Sequence, residues 1–322
     1  MTLNRRLLLQ AFLAAQTGYL HASEIDRYPS KPIKITAPFA PGSSDLVARK
    51  ISEIAARKLG KPFVIETRPG AQGTIATKIL ANASNDGYSL LLGTNSTHAA
   101  SQYLFKNPGY DPIKDFTPIV QFTINPLLLI VHADLPIRNF EEFLQYGRAH
   151  PGKMSYGAGN TGSLVCSQML LKQGGMEAVG VNYQGNSQAI QDFIAGRLDF
   201  MVTDPLIIKP FVHSGKLRVL GITSRQRLQH FDTILPIAEM GLPHFEYASW
   251  IGIFAPAGVA PEIADMLHRE FAQALKEPEV ASFLDSIGMI PVHKSRPEFA
   301  QFVRDQLKVW EKLTQDSGIL PA

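Results

Sequence analysis

A single cysteine, Cys166, stands among 322 residues, so no disulfide can form within the chain and stability must come from packing. Absent as well are the serine-hydrolase elbow G-x-S-x-G, the H-E-x-x-H and C-x-x-C metal or redox motifs, and the phosphate loop G-x-x-x-x-G-K-[ST]. The nine histidines include no pair at metal-ligand spacing on a plausible helix, so neither a metal nor another cofactor is expected. Charge is sparse, with 18% Asp, Glu, Lys and Arg and a net +3. Nowhere do basic residues cluster as phosphate-backbone binding requires, which argues against a nucleic-acid partner. Nor is there a run of the ~20 apolar residues that a bilayer span needs; Leu127–Val131 reads as a buried strand.

What is present begins at the amino terminus. Arg5-Arg6 precede an apolar stretch, Leu7–Ala15, too short and too interrupted by Gln10, Gln16 and Thr17 to span a membrane. Residues 1–22 therefore read as a secretory signal peptide cleaved after Ala22, and the paired arginines also fit twin-arginine export. Cleavage removes two arginines and no acid, taking the net charge from +3 to +1. The roughly 300 residues left are enough for two domains.

Apolar strands alternate with amphipathic helices from Ile33 onward. Ile33–Ala37 runs through Pro38-Phe39-Ala40-Pro41-Gly42-Ser43-Ser44-Asp45 into a helix burying Val47, Ile51 and Ile54, and Gly60-Lys61-Pro62 stops it. A second Gly-rich loop, Arg68–Gly73, opens the next helix, and strand Tyr88–Leu92 ends at Gly93-Thr94-Asn95. The series restarts after Leu127–Val131, with strands at Met154–Tyr156, Val179–Asn182, Phe200–Val202 and Arg218–Thr223, and a helix from Asp204-Pro205 to about Ser214. This order predicts an α/β protein of two lobes, each with a parallel sheet and its polar loops at one edge. Two weakly charged extended stretches, Val120–Leu135 and Phe245–Pro256, are placed as crossover strands. The expected division is 23–122 with 252–322 as one lobe and 123–251 as the other, the terminal helices Pro261–Leu275 and Pro297–Leu313 returning to the first lobe.

Two loops carry the chemistry. Gly42 with Ser43 and Ser44 at a helix start makes an anion site, since the first amide N–H groups of a helix lack partners and sit at the positive end of its dipole. Gly157-Ala158-Gly159-Asn160-Thr161-Gly162-Ser163 matches G-x-G-x-x-G between a strand and a helix. A dinucleotide site, however, wants an acid ~20 residues on, where Asn182-Tyr183-Gln184 stand, so an anion cradle using the Thr161 and Ser163 hydroxyls is the better reading. Cys166, in the first turn after that loop, is a candidate nucleophile or a small buried residue, with His98, His213 and His244 as unplaced candidate bases. Asp45 is either a ligand contact or an acid favoured by the helix dipole, Asp204 either an N-cap or a cleft residue. Phe39, inside a Gly/Pro loop, walls a pocket; Trp250 either packs between the lobes or faces the ligand, and core is the better reading.

Several stretches together resemble the periplasmic solute-binding receptors of tripartite tricarboxylate transporters, the Bug-type proteins. They include Tyr28–Ile33, Pro38–Asp45, Arg68–Gly73, Asp86–Thr94, Asp115–Ile119, Gly196–Asp199 and Ser214–Arg218. The resemblance implies a two-lobed, type II-like periplasmic-binding-protein fold that clamps a small carboxylate between Phe39–Asp45 and Gly157–Ser163. Two departures stand out: Ser43 where the family has a second glycine, and Cys166 where it often has histidine. The function expected is a periplasmic, non-enzymatic, monomeric receptor that hands a small carboxylate to membrane transporter subunits. Phe39, Ala40, Gly42, Ser43, Ser44 and Asp45 would face Gly157, Ala158, Gly159, Asn160, Thr161, Gly162, Ser163 and Cys166. Thr94, Asn95, Tyr183, Gln184 and Asp204 would supply side contacts. The alternative is a secreted cysteine-dependent hydrolase or transferase using Cys166.

Overall fold

The computed structural model describes residues 27–228 and 231–317, so the signal-peptide assignment lies outside the described residues. Strand β1 (Ile33–Ala37) leads into α1 (Ser43–Leu59), which ends where Gly60 takes the left-handed conformation that favours glycine. β2 (Phe63–Thr67), α2 (Thr74–Ala81) and β3 (Ser89–Thr94) follow, then a π-helical turn at Ser96–Ala100 that runs into α3 (Ser101–Leu104). The long β4 (Phe116–Pro126) is separated from β5 (Leu128–His132) by Leu127 alone. Helix α4 (Phe140–Ala149) starts at Asn139, whose Oδ1 accepts from the Glu142 N–H at 2.9 Å while Glu142 accepts in return from Asn139 Nδ2. The second series continues through β6 (Met154–Ala158), α5 (Thr161–Gly174), β7 (Ala178–Asn182), α6 (Asn186–Ile194), β8 (Phe200–Thr203), α7 (Pro205–Ile208) and β9 (Leu217–Ile222). The chain then returns through β10 (Ala248–Pro256) to α8 (Pro261–Ala274), α9 (Pro278–Ser286), β11 (Ile290–Pro291) and α10 (Arg296–Ser317).

Two sheets result, ordered β11-β4-β10-β3-β1-β2 and β7-β6-β8-β5-β9. Each keeps three parallel strands at one side, β3-β1-β2 in one and β7-β6-β8 in the other, with β2 and β7 as edges. Neither is wholly parallel. The strands that enter from the other half run the opposite way, so β10 pairs antiparallel with both β3 and β4, and β5 antiparallel with β8 and β9. β4 and β10 pair along nearly their full lengths, both in the six-stranded sheet. The helix expected to reach Ser214 stops after one turn, because Pro210 has no N–H to donate, and a short 3-10 turn at Lys209–Phe211 replaces it. Helix α9 and strand β11 carried too little periodic pattern to be foreseen.

Alternation along β10 sorts its side chains between two cores. Ile251, Ile253 and Ala255 join β1 and helices α1 and α8, whereas Trp250 and Phe254 pack with Phe299 and Val303 of α10. Helix α10 does more than return to the first sheet. Its distal Trp310 lies edge-on to Tyr247 at 6.0 Å in the cluster built by β5, β6, β8 and α5, so one helix spans both halves.

His98, in the π-helical turn, stacks on Phe254 at 3.7 Å and touches the Thr97 hydroxyl through Nδ1 at 2.9 Å, while its buried Nε2 has no partner. Burial pushes its pKa from 6.5 down to about 3, so the folded ring stays neutral where the unfolded one gains a proton. The stabilisation is complete above 6.5 and is lost as pH falls toward the folded value, by about 1.4 kcal/mol per pH unit. Urea titrations between pH 6.5 and 4.5 are expected to show a slope shallower by about that amount in His98→Gln than in the unaltered protein; identical slopes would refute this.

Candidate functional site

At the carboxyl end of β1 the chain passes through Pro38–Pro41 into α1, whose N-cap residue Gly42 is extended and offers no side-chain cap. The first amides of α1 thus face a cavity of about 70 Å³ without a capping side chain, and the buried Ser43 hydroxyl beside them has no partner. Asp45 lines the same cavity but is held by a two-pronged ion pair with Arg49, at 2.9 and 3.0 Å. Its charge is therefore matched from within its own helix.

The second wall differs from the expected one. Helix α5 is capped by its own Asn160, whose Oδ1 accepts from the Ser163 N–H at 2.9 Å. Ser163 Oγ is bonded to the Asn186 side chain and Thr161 Oγ1 donates to Gln72 Oε1 at 3.4 Å, so neither hydroxyl is free to cradle an anion. Of the Gly157–Ser163 loop only Gly159 and Asn160 reach the cavity; Gly157, Ala158, Thr161, Gly162 and Ser163 do not line it. Helix α6 takes that place. Its N-cap Gly185 is extended with no side-chain cap, and Gly185, Asn186 and Ser187 line the cavity opposite α1. Sequence reasoning passed over this terminus because Gly185-Asn186 has none of the Ser/Thr/Gly density of the preceding loop. The visible signal was Gly-Asn-Ser two residues after a strand.

The three glycines of the apparent dinucleotide motif serve packing. A Cβ on Gly157 would come 2.7 Å from Leu198 Cδ1, one on Gly162 2.5 Å from Tyr247 Oη, and one on Gly159 2.1 Å from the backbone of Gly185 and Asn186. Asn186 ties the arrangement together, since its Oδ1 accepts from the Gly159 N–H at 2.9 Å.

Thr94, Asn95, Phe39, Ala40 and Ser44 line the cavity as expected, and so does Asp204, partly buried at the carboxyl end of β8. Burial raises the Asp204 pKa above the usual carboxylate range, opposed by a hydrogen bond from Asn186. Asn125, Ser249 and Trp250, all on the strands that cross between the halves, complete the wall and had not been chosen from sequence. Asn125 Oδ1 and Trp250 Nε1 are buried without partners. Tyr183 and Gln184 line instead an adjoining cavity of about 340 Å³ that shares Phe39 and Gly159 with the first. The two halves meet across the cleft through Ser187 Oγ donating to Pro41 O at 3.3 Å and Asn95 Nδ2 to Tyr247 Oη at 2.7 Å. Among the described residues no group of His, Cys, Asp and Glu is placed to hold a metal ion, and no helix is long and apolar enough to cross a membrane.

Cys166 is fully buried within the core of α5, outside the cavity, and desolvation raises its thiol pKa well above the ordinary value. The dipole at the start of α5 does not offset that burial, so the Cys166 thiol is held in its protonated form away from the cavity. The folded protein is expected to resist iodoacetamide at pH 8 and to take up one equivalent in urea. Rapid alkylation of the folded chain would contradict its burial.

Residues 47–319 match the family described as "Tripartite tricarboxylate transporter family receptor". The chain belongs to that family. It is 30% identical over 313 residues to the UPF0065 protein in the tcbD-tcbE intergenic region of Pseudomonas sp. strain P51, covering 96% of this chain and 93% of the relative. Protein BugT of Bordetella pertussis is 28% identical, with 99% of each chain covered. Among solved structures, Rpa4515 of R. palustris with adipate superposes with a TM-score of 0.88 at 30% identity, over 92% of this chain and all of the other. MatC of Rhodopseudomonas palustris with bound malate gives 0.83 at 30% identity, over 89% and 99%. This receptor thus shares the two-lobed fold of periplasmic binding proteins.

Proposed function

We propose that this receptor captures a small organic carboxylate between its lobes in the periplasm and presents it, as a monomer, to the membrane subunits of a tripartite tricarboxylate-type transporter. Residues 1–22 would direct its export. The lobes would part near Leu127 and Tyr247, the links between β4 and β5 and between β9 and β10. The observation that carries the reading is the pair of uncapped helix N-termini, α1 and α6, one from each half, opening on one cavity. Each supplies free N–H donors and a positive dipole end, so a carboxylate needs no cationic side chain to be held there. Gly42 to Asp45, Gly159, Asn160 and Gly185 to Ser187 would form the contact set, with Thr94, Asn95 and Asn125 beside it. Adipate in Rpa4515 and malate in MatC support the ligand class. Since the ligand touches both lobes only when they are closed, its binding favours closure. No reaction is proposed.

A thermal-shift series with mono- and dicarboxylates tests the reading, because a ligand bound by the folded state alone raises its apparent stability. At a concentration 100 times Kd the gain is about 2.7 kcal/mol. Failure of every carboxylate to raise the melting temperature would refute it.

A further inference from the structure

Charge in the cavity is unbalanced. Among the described residues no lysine, arginine or histidine lines it, whereas two aspartates do. Asp45 is neutralised by Arg49, but Asp204 has no cationic partner among the described residues, and the donors to its carboxyl, the Asn186 side chain and its own backbone N–H, are neutral. A ligand presenting only carboxylates would meet that charge with nothing between them. A second feature is independent of Asp204: the Oδ1 of Asn125, a residue almost wholly buried, is an acceptor without a donor in the wall of the same cavity. Buried acceptors are rarely left unpaired, so the donor that is missing among the described residues is one the ligand can bring.

We infer that the ligand is an amino carboxylate, its carboxylate at the N-termini of α1 and α6 and its ammonium directed to Asp204 and Asn125. This rests on the carboxylate-receptor reading and sharpens it to a zwitterion. An ammonium carries three donors, enough for both acceptors and a water or a backbone carbonyl. The small volume, about 70 Å³, suits a short chain.

Two isosteric series separate the possibilities by calorimetry on the unaltered mature protein: alanine, lactate and propionate, and aspartate, malate and succinate. In at least one series the amino member is expected to bind tenfold or more tightly than its hydroxy and unsubstituted counterparts. Asp204→Asn should reduce that preference at least tenfold. If the hydroxy or unsubstituted acids bind the unaltered protein as tightly as the amino acids, the inference is overturned and the carboxylate receptor stands. A preference that survives Asp204→Asn also overturns it. Absence of binding by all six acids, and by longer mono- and dicarboxylates, overturns both. Should Asp204→Asn fail to fold, the comparison within each series on the unaltered protein decides alone.

Discussion

Replacing Gly159 by alanine is expected to abolish ligand binding and to lower the melting temperature of the ligand-free protein by roughly 6–12 °C. The added methyl would lie 2.1 Å from both the Asn186 nitrogen and the Gly185 carbonyl carbon. These are backbone atoms at the start of α6, so no side chain can swing aside. Overpacking of this kind costs about 3 kcal/mol when backbone must shift, and each kcal/mol is worth about 2–4 °C in a domain of this size. The displacement acts on both cavity-facing parts of the second lobe at once, since the Gly159 N–H and the Asn186 side chain are bonded to each other. Gly42→Ala is the matched comparison for stability. Its Cβ would meet Ser187 Oγ at 3.5 Å and the Ala40 carbonyl oxygen at 3.7 Å, both ordinary contacts, so its melting temperature should stay within about 3 °C of the parent. Scanning calorimetry of both variants with calorimetric titration of a binding carboxylate measures the contrast. A Gly159→Ala protein with parental stability and affinity would contradict the packing described.

Trp250 carries the other large expected effect. It is 1% exposed, lies edge-on to Phe299 at 6.0 Å and Phe302 at 5.6 Å, and also lines the cavity. Truncation to alanine removes a fully buried indole and leaves a void between β10 and α10, an expected loss of about 3–5 kcal/mol in urea unfolding. Trp250→Phe separates the two roles. Phenylalanine keeps most of the packing but removes the Nε1–H, which is buried with no acceptor in the protein. If a ligand carboxylate supplies the acceptor, the loss is about 1.5 kcal/mol, close to tenfold in affinity. Unchanged affinity in Trp250→Phe would assign the indole to the core alone.

Much of the architecture was legible because its signals are local. Strand–loop–helix junctions such as Ile33–Asp45 show hydrophobic period and turn residues together, and Gly60 and Gly196 stop helices where positive φ is needed. Sheet direction was less legible. Long-range pairing of β10 with β3 and β4 leaves no local trace, and both sheets proved mixed where parallel ones were expected. The first wall of the site was readable for the same reason as the fold, from Gly42 and its neighbours. The second was expected at the start of α5, whereas the start of α6 lines the cavity. A Gly/Thr/Ser loop before a helix promises free donors, but Asn160 and Asn186 consume those of Gly159 and Ser163, and only three-dimensional placement reveals it. Asn125 was invisible as a site residue, and Trp250 was set down as core, because they sit in strands whose pattern reads as core. Cys166 looked like a departure that sets ligand choice; its burial removes it from the cavity and leaves Asp204 as the residue that shapes the charge there.

The central claim is that two uncapped helix N-termini from opposite lobes hold the ligand. A crystal structure of the mature protein with its tightest-binding carboxylate tests this most directly. The account predicts carboxylate oxygens within hydrogen-bond distance of backbone N–H groups at the start of α1 and the start of α6, with the lobes closed over them. A carboxylate held instead by lysine or arginine side chains, or seated at the N-terminus of α5, would contradict it.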